Sequence, residues 1–318
     1  MKQDRRSPSV SDKTFSWLMR LGVMVLAIGV ATFGFMYYQD QYAVQAGPSL
    51  VSRQIEGAEA AVKKTPNNIE VRLQLAAAYM LNKRPDDALT QYDVILKADK
   101  ANRSALIGRG GVLIAKGDLK AAAVSYHEIT DTAAKGEFAG ADTQAQEAYY
   151  YLGWIALTQD KPEVAITELN HALTIDRADS DSLYLLGKAL LKEGKADMAV
   201  VALKQAVLFV PTGWCEPYVQ LNLAYTKLGN APQATYDGAM ANFCHKKPAE
   251  AKAQLNTLIT GPVKVDAMLG LGLIAETESS NPEAISFYQK VLKVDPKNAN
   301  AISSLSRLRV APTSTTKK

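Results

Sequence analysis

Few side chains in this chain are suited to nucleophilic, redox or metal chemistry: Cys215 and Cys244, together with His127, His171 and His245. The thiols can close as a disulfide, remain free, or join His245 around a metal, but a structural metal site of this kind wants four ligands and only three are in view. The histidines are scattered, with no acidic or nucleophilic partner at a telling spacing, and read as structural or surface residues. There is no H-E-x-x-H, G-x-S-x-G or G-x-x-x-x-G-K-[ST] in the chain. Gly108, Gly110 and Gly111 lie in a helical pattern with no strand before them, so they read as packing glycines rather than a phosphate loop. Lys63 with Lys64 and Lys246 with Lys247 sit at helix C-termini, where cations favour the dipole. No catalytic residue, metal or cofactor is expected, so the chain is expected not to be an enzyme and its chemistry to be recognition.

With 318 residues, 47% hydrophobic and 21% charged, the chain has ordinary globular composition and length enough for an extended array. Part of its +4 formal charge sits at the N-terminus, where Lys2, Arg5, Arg6, Lys13 and Arg20 outnumber Asp4, Asp12 and Asp40. The remainder gives no electrostatic footprint for nucleic acid.

The first forty residues are a separate object. From Leu21 to Tyr38, LGVMVLAIGVATFGFMYY holds eighteen uncharged residues. As a helix it would span about 27 Å, one crossing of the hydrocarbon layer. Trp17 on one side and Tyr37 with Tyr38 on the other suit interfacial belts, and Arg20 can reach the headgroups. All the early cations precede the segment and the next is Arg53. The positive-inside rule then puts the N-terminus in the cytoplasm and the rest outside, in a periplasm or extracellular space. A signal peptide cleaved near Val44 and Ala46 is the rival, but that site lies well past the apolar core, so an uncleaved anchor is the reading.

Internal repeats organise the chain beyond this segment. LLG at Leu185 to Gly187 returns as YLG at Tyr151 to Gly153 and GLG at Gly270 to Gly272, each glycine twelve residues before Ala199, Ala165 or Ala284. Looser copies place Ala76 before Ala88, Gly110 before Ala122 and Asn222 before Ala234. Four residues past those alanines stand Tyr92, Tyr126, Leu169, Leu203 and Tyr288, with Gly238 as the exception. A helix-interior glycine costs about 1 kcal/mol relative to alanine, so its recurrence implies close approach of a second helix. The expectation is that Gly187 lets its helix lie against Ala199, with Leu183 and Leu203 filling the flanks. Gly194, Gly117 and Gly229 fall where a left-handed residue would end each first helix.

This pattern of small-residue helix, turn, alanine-bearing helix and proline over 34 residues resembles the tetratricopeptide repeat (TPR) family, with six copies over 69 to 298. The resemblance implies an all-α fold, a right-handed superhelical solenoid of antiparallel helix pairs, behind the N-terminal transmembrane helix. The expected organisation is a cytoplasmic tail 1–16, a transmembrane helix 17–38, a linker 39–50, the solenoid with capping helices 51–310, and a disordered tail 311–318. About nine extra residues around 137–145 read as a loop, and about sixteen around 249–264 have helical spacing. In this register Cys215 begins and Cys244 ends one antiparallel pair, which brings them within reach of a disulfide; two unpaired thiols are the alternative.

The family's inner surface is lined by first helices, and the resemblance implies that a protein or peptide partner binds there. In register the slots give Leu73, Ile107, Tyr150, Trp154, Tyr184, Lys188, Val219 and Leu223 as the partner-binding groove. Some relatives hold a C-terminal carboxylate with Lys and Asn in these slots; only Lys188 matches here. An apolar partner anchored by Tyr150, Trp154 and Tyr184 fits better. Two alternatives stand beside it: these aromatics pack between neighbouring repeats, or the linker after Tyr38 fills the groove. The functional expectation is a membrane-anchored adaptor that positions other proteins on the extracytoplasmic side, in assembly or maturation of envelope complexes. The competing reading is a docking or regulatory subunit of a membrane-associated enzyme complex.

Overall fold

The computed structural model describes residues 24, 28–38, 50–133, 141–209 and 213–308, and among them every regular element is helical. The chain divides into two compact units, Met1–Asp87 and Ala88–Lys318. Of the expected organisation, the tail 1–16, all but the last residue of the linker 39–50, and the tail 311–318 lie outside the described residues.

In the first unit, residues 28–38 form α1, and every residue of that stretch is exposed, Phe33, Phe35 and Met36 among them. The expected span 17–38 is described only at Met24 and through this stretch; among the described residues no helix is long and apolar enough to cross a membrane. Next come α2 (Leu50–Lys64) and α3 (Ile69–Leu81), antiparallel neighbours as a capping half-unit requires. The Asn68 side chain caps α3 by accepting from the Val71 amide at 3.2 Å. Ile55 is buried, and the Tyr79 hydroxyl donates to Glu59 at 2.8 Å.

The second unit begins inside α4 (Pro85–Ala98) and continues as helix pairs: α5 (Arg103–Lys116) with α6 (Leu119–Ala133), α7 (Thr143–Thr158) with α8 (Pro162–Ile175), and α9 (Ser180–Lys192) with α10 (Ala196–Phe209). After α11 (Glu216–Lys227) and α12 (Ala231–Cys244) comes α13 (Pro248–Asn256), then the pair α14 (Lys264–Thr277) and α15 (Asn281–Val294), covered by α16 (Ala299–Arg307). Successive pairs stack because the second helix of each meets the first helix of the next.

What fits into each glycine notch differs from the expectation. A Cβ on Gly187 would stand 2.4 Å from Leu203 Cγ, so the leucine sixteen residues on, rather than Ala199, fills the gap. The same holds for Gly153 against Leu169 at 2.5 Å, Gly110 against Tyr126 at 2.6 Å and Gly272 against Tyr288 at 2.5 Å. The alanines have another job: Ala122, Ala165, Ala199 and Ala284 are fully buried at the crossing, where nothing larger fits. The fifth pair reverses the sizes. Asn222 takes the notch position, Gly238 the filling position, and the Asn222 amide donates to the Ala234 carbonyl at 2.6 Å.

The turn slot is left-handed in every unit, with φ of 81°, 74° and 70° at Gly117, Gly194 and Gly229, and 55°, 57° and 61° at Lys83, Asp160 and Ser279. The loop expected over 137–145 is shorter than that, because Asp142 caps α7 and Thr143 already belongs to it; residues 134–140 lie outside the described residues. The second insertion is an added helix: Ala251 and Leu255 of α13 are buried among Ala239, Ala267 and Leu271.

Gly187→Ala is expected to destabilise the protein by about 1–3 kcal/mol despite its better helix propensity, because the new methyl overlaps Leu203. Leu203→Ala leaves a cavity, and the double variant is expected to lose clearly less than the two singles summed. Denaturation curves of all three check this; strict additivity would refute the notch account.

Candidate functional site

Four residues apart on α7, Tyr150 and Trp154 share one face, as do Tyr184 and Lys188 on α9. All four are partly buried, and the three aromatics pack their inner edges on one core cluster that includes Leu186, Leu190 and Leu221. They therefore pack between repeats and also keep an open face. Lys188 holds its ammonium 5.3 Å from the Tyr184 ring centroid. Burial, with Asp181 and Asp179 adding, pushes the Tyr150 hydroxyl up to about 12. Ile107 packs against a neighbouring cluster that also holds one side of Trp154. Val219 and Leu223 are more open, each 42% exposed. Leu73 belongs to the first unit and is partly buried there.

One residue of this face was missed by register alone. Trp214 meets the Tyr184 ring edge-on at 5.1 Å, yet it precedes α11 and so falls outside the repeat's slots. Gly111, read as a packing glycine, faces open space, whereas Gly108 and Gly110 abut Tyr92 and Tyr126. A cleft of 460 Å³ lies elsewhere, between α8, α9 and α10, lined by Leu173, Leu190, Met198 and Val201.

Cys215 and Cys244 are joined by a disulfide, with their Cα atoms 5.4 Å apart, tying the start of α11 to the end of α12. The bond uses both thiols, so neither is left to join His245 around a metal, and among the described residues no group of three or more His, Cys, Asp and Glu is placed to hold an ion. His127 and His171 do share an acidic neighbour, Glu168: His171 stands three residues after it on α8, and His127 of α6 lines the same cleft. His171 also stacks on Tyr149 at 5.0 Å.

Asp237 is the buried charge that no sequence pattern announced. It is 3% exposed and its Oδ2 has no hydrogen-bond partner. Burial pushes its carboxyl up to about 7; Lys204 opposes the shift and Asp266 adds to it.

Tetratricopeptide repeat models match residues 73–137 and 237–299 and, in a second form, 146–179 and 180–209, more than half of the chain. The chain is a tetratricopeptide repeat protein. The longest part of this TPR array left unmatched, 210–236, contains the size-reversed Asn222 and one end of the disulfide. Solved structures agree on the fold. The C-terminal part of a TPR protein from Cytophaga hutchinsonii is 18% identical, with a TM-score of 0.51 over 80% of this chain and 94% of that one. MamA from Desulfovibrio magneticus RS-1 is 16% identical, with a TM-score of 0.50 over 57% of this chain and 96% of its own. No curated protein matches the sequence.

Cys215→Ser with Cys244→Ser, or reduction of the bond, is expected to cost about 3–4 kcal/mol of stability, read from unfolding with and without reductant. For Asp237, a carboxyl that holds its proton more tightly when folded contributes stability that is fully present below its ordinary 3.8 and lost as pH rises towards about 7. Relative to Asp237→Asn, the wild type is expected to lose about 2–4 kcal/mol between pH 4 and 8. Parallel stability curves for the two proteins would contradict this.

Proposed function

We propose that this TPR protein is a membrane-anchored adaptor that binds a partner protein on its first-helix face, outside the cytoplasm, in the assembly or maturation of envelope complexes. The observation that carries the reading is the row of half-packed aromatics. Tyr150, Trp154 and Tyr184 are held rigid by the core at one edge and left open at the other. Side chains so held lose little entropy when a partner covers them, which suits them as anchors. Recognition without catalysis is the chemistry these residues support.

Two features favour the compartment. The apolar run 28–38 is helical and wholly exposed, so its Phe33, Phe35 and Met36 have no protein core to enter and suit a lipid phase. A disulfide between Cys215 and Cys244 fits an oxidising space outside the cytoplasm.

The test is photocrosslinking in intact membranes that retain the protein after alkaline extraction. A photoreactive residue at Trp154 is expected to capture a specific partner, while one at Val201, which is 60% exposed on α10, captures none. Capture from Val201 alone would move the binding surface to the second helices. Crosslinks from position 154 only to residues 39–50 of the same chain would mean that the linker fills the groove. Loss of the protein on extraction would remove the anchor from the reading.

A further inference from the structure

Glu147, Asp181, Glu216 and Asp266 occupy one register: each lies in the first two turns of a first helix, on α7, α9, α11 and α14, three residues before Tyr150, Tyr184, Val219 and Leu269. Residues three apart on a helix are neighbours, so an acidic column runs beside the aromatic and apolar one. The two columns interlock across helices. Asp181 acts on the Tyr150 hydroxyl and Glu216 on that of Tyr184, each after the effect of burial.

Among the described residues, the ion pairs use other acids, Asp93, Asp142, Asp160, Glu276 and Glu278 among them, and none uses a member of this column. Burial nevertheless raises the carboxyls of Glu147, Asp181 and Asp266 above their usual range. These are carboxylates partly withdrawn from water with no ion pair of their own, and only Asp266 feels a cation, Lys204. The nearby cations are engaged: Lys188 lies over Tyr184, Lys204 serves Tyr225, and Arg307 is held by Glu276 at 2.8 Å. Lys204 alone also reaches Asp266.

The column opens into two clefts. One, of 290 Å³, is lined by Glu147, Tyr150, Tyr151, Asp179 and Asp181. The other, of 400 Å³, is lined by Tyr218, Tyr236, Asp266, Leu269 and Asn300, and also by Arg307, whose guanidinium is already paired with Glu276. Two buried polar atoms without a partner neighbour these linings: Tyr126 Oη, whose ring stacks on Tyr151 at 5.0 Å, and Asp237 Oδ2, whose carboxyl acts on Tyr218 and is itself raised by burial and by Asp266. Each cleft offers acid and tyrosine faces together, the pairing that recognises a lysine or arginine side chain.

We infer that the partner segment is basic and apolar together: Lys or Arg side chains enter the two clefts and neutralise the acidic column, while aromatic or aliphatic side chains lie on Tyr150, Trp154 and Tyr184. This rests on the adaptor reading above and gives its partner a chemistry. The carboxylate-holding groove implied by resemblance to some relatives is the opposite electrostatic arrangement, and a lone Lys188 committed to a tyrosine face does not supply it.

The test uses the full chain in detergent and a displayed library of random peptides of about 15 residues, with synthetic copies of the enriched sequences measured by fluorescence anisotropy. The enriched peptides are expected to interleave Lys or Arg with aromatic or aliphatic residues. Their affinity should fall at least about ten-fold in Glu147→Gln/Asp181→Asn/Glu216→Gln/Asp266→Asn, and fall again as salt rises from about 50 to about 300 mM. Should the quadruple variant not fold, Asp181→Asn alone, at an exposed position that lines the first cleft, together with the salt dependence of the wild type, decides the matter. Neutral or acidic peptides that ignore the neutralised acids yet are lost in Trp154→Ala would overturn this inference and leave the groove standing. Peptides indifferent to both changes would overturn the groove as well. Binding that appears only after deletion of residues 309–318, which carry Arg309, Lys317 and Lys318, would make the chain's own tail the occupant and end the case for a separate basic partner.

Discussion

The fit of one large side chain into one missing side chain, sixteen residues earlier, is the constraint on which the rest of the array depends. Leu203 in the Gly187 notch and Tyr126 in the Gly110 notch set how closely two helices approach, and the fully buried alanines at the crossing keep that approach short. Because interiors pack at crystal-like density, a notch and its filler fix a crossing geometry more firmly than any pair of interchangeable apolar residues could. Repeating that geometry places each first helix in the same relation to its second, and so places the register that carries Tyr150, Tyr184 and the acids.

The fifth pair shows what happens when the constraint is relaxed. With Asn222 in the notch position and Gly238 opposite, the large and small positions are exchanged and the apolar contact is gone; a hydrogen bond from Asn222 to the Ala234 carbonyl replaces it. The same pair carries the disulfide, which joins its two open ends. A cross-link that limits the unfolded chain compensates for weak packing wherever in the pair the weakness lies. The neighbouring α13 then fills the space beyond α12, with Leu255 reaching within 3.1 Å of where a Cβ on Gly270 would stand.

Much of this was legible in the sequence because its signals are periodic. The glycine-to-alanine interval of twelve residues and the left-handed turn slot recur often enough to fix element type and register without coordinates. Features that depend on one pair only were not legible. Nothing in the spacing says that Leu203 rather than Ala199 fills the notch, since both lie on the same helix face one turn apart. Trp214 lies before its helix, so a register count passes over it, and only the packed Tyr184 ring brings it to the site. Asp237 occupies an ordinary polar slot on α12, and its burial comes from the neighbouring helices rather than from α12 itself.

The division of labour between helices explains how the array tolerates its own groove chemistry. Stability resides in the notch, the buried alanines and the second-helix contacts, so a first-helix slot facing outward contributes little to folding and is free to carry groups that folding alone would not select. Of the four carboxylates in register, the three that burial works against, Glu147, Asp181 and Asp266, raise the free energy of the unbound protein. A ligand cation that enters the clefts lowers that energy, so the strain in the free state becomes selectivity in the complex, and a neutral apolar segment gains nothing from it. The same electrostatics makes binding sensitive to salt, whereas the aromatic anchors are not, so the two columns contribute in separable ways: one chooses the partner's charge and the other holds it.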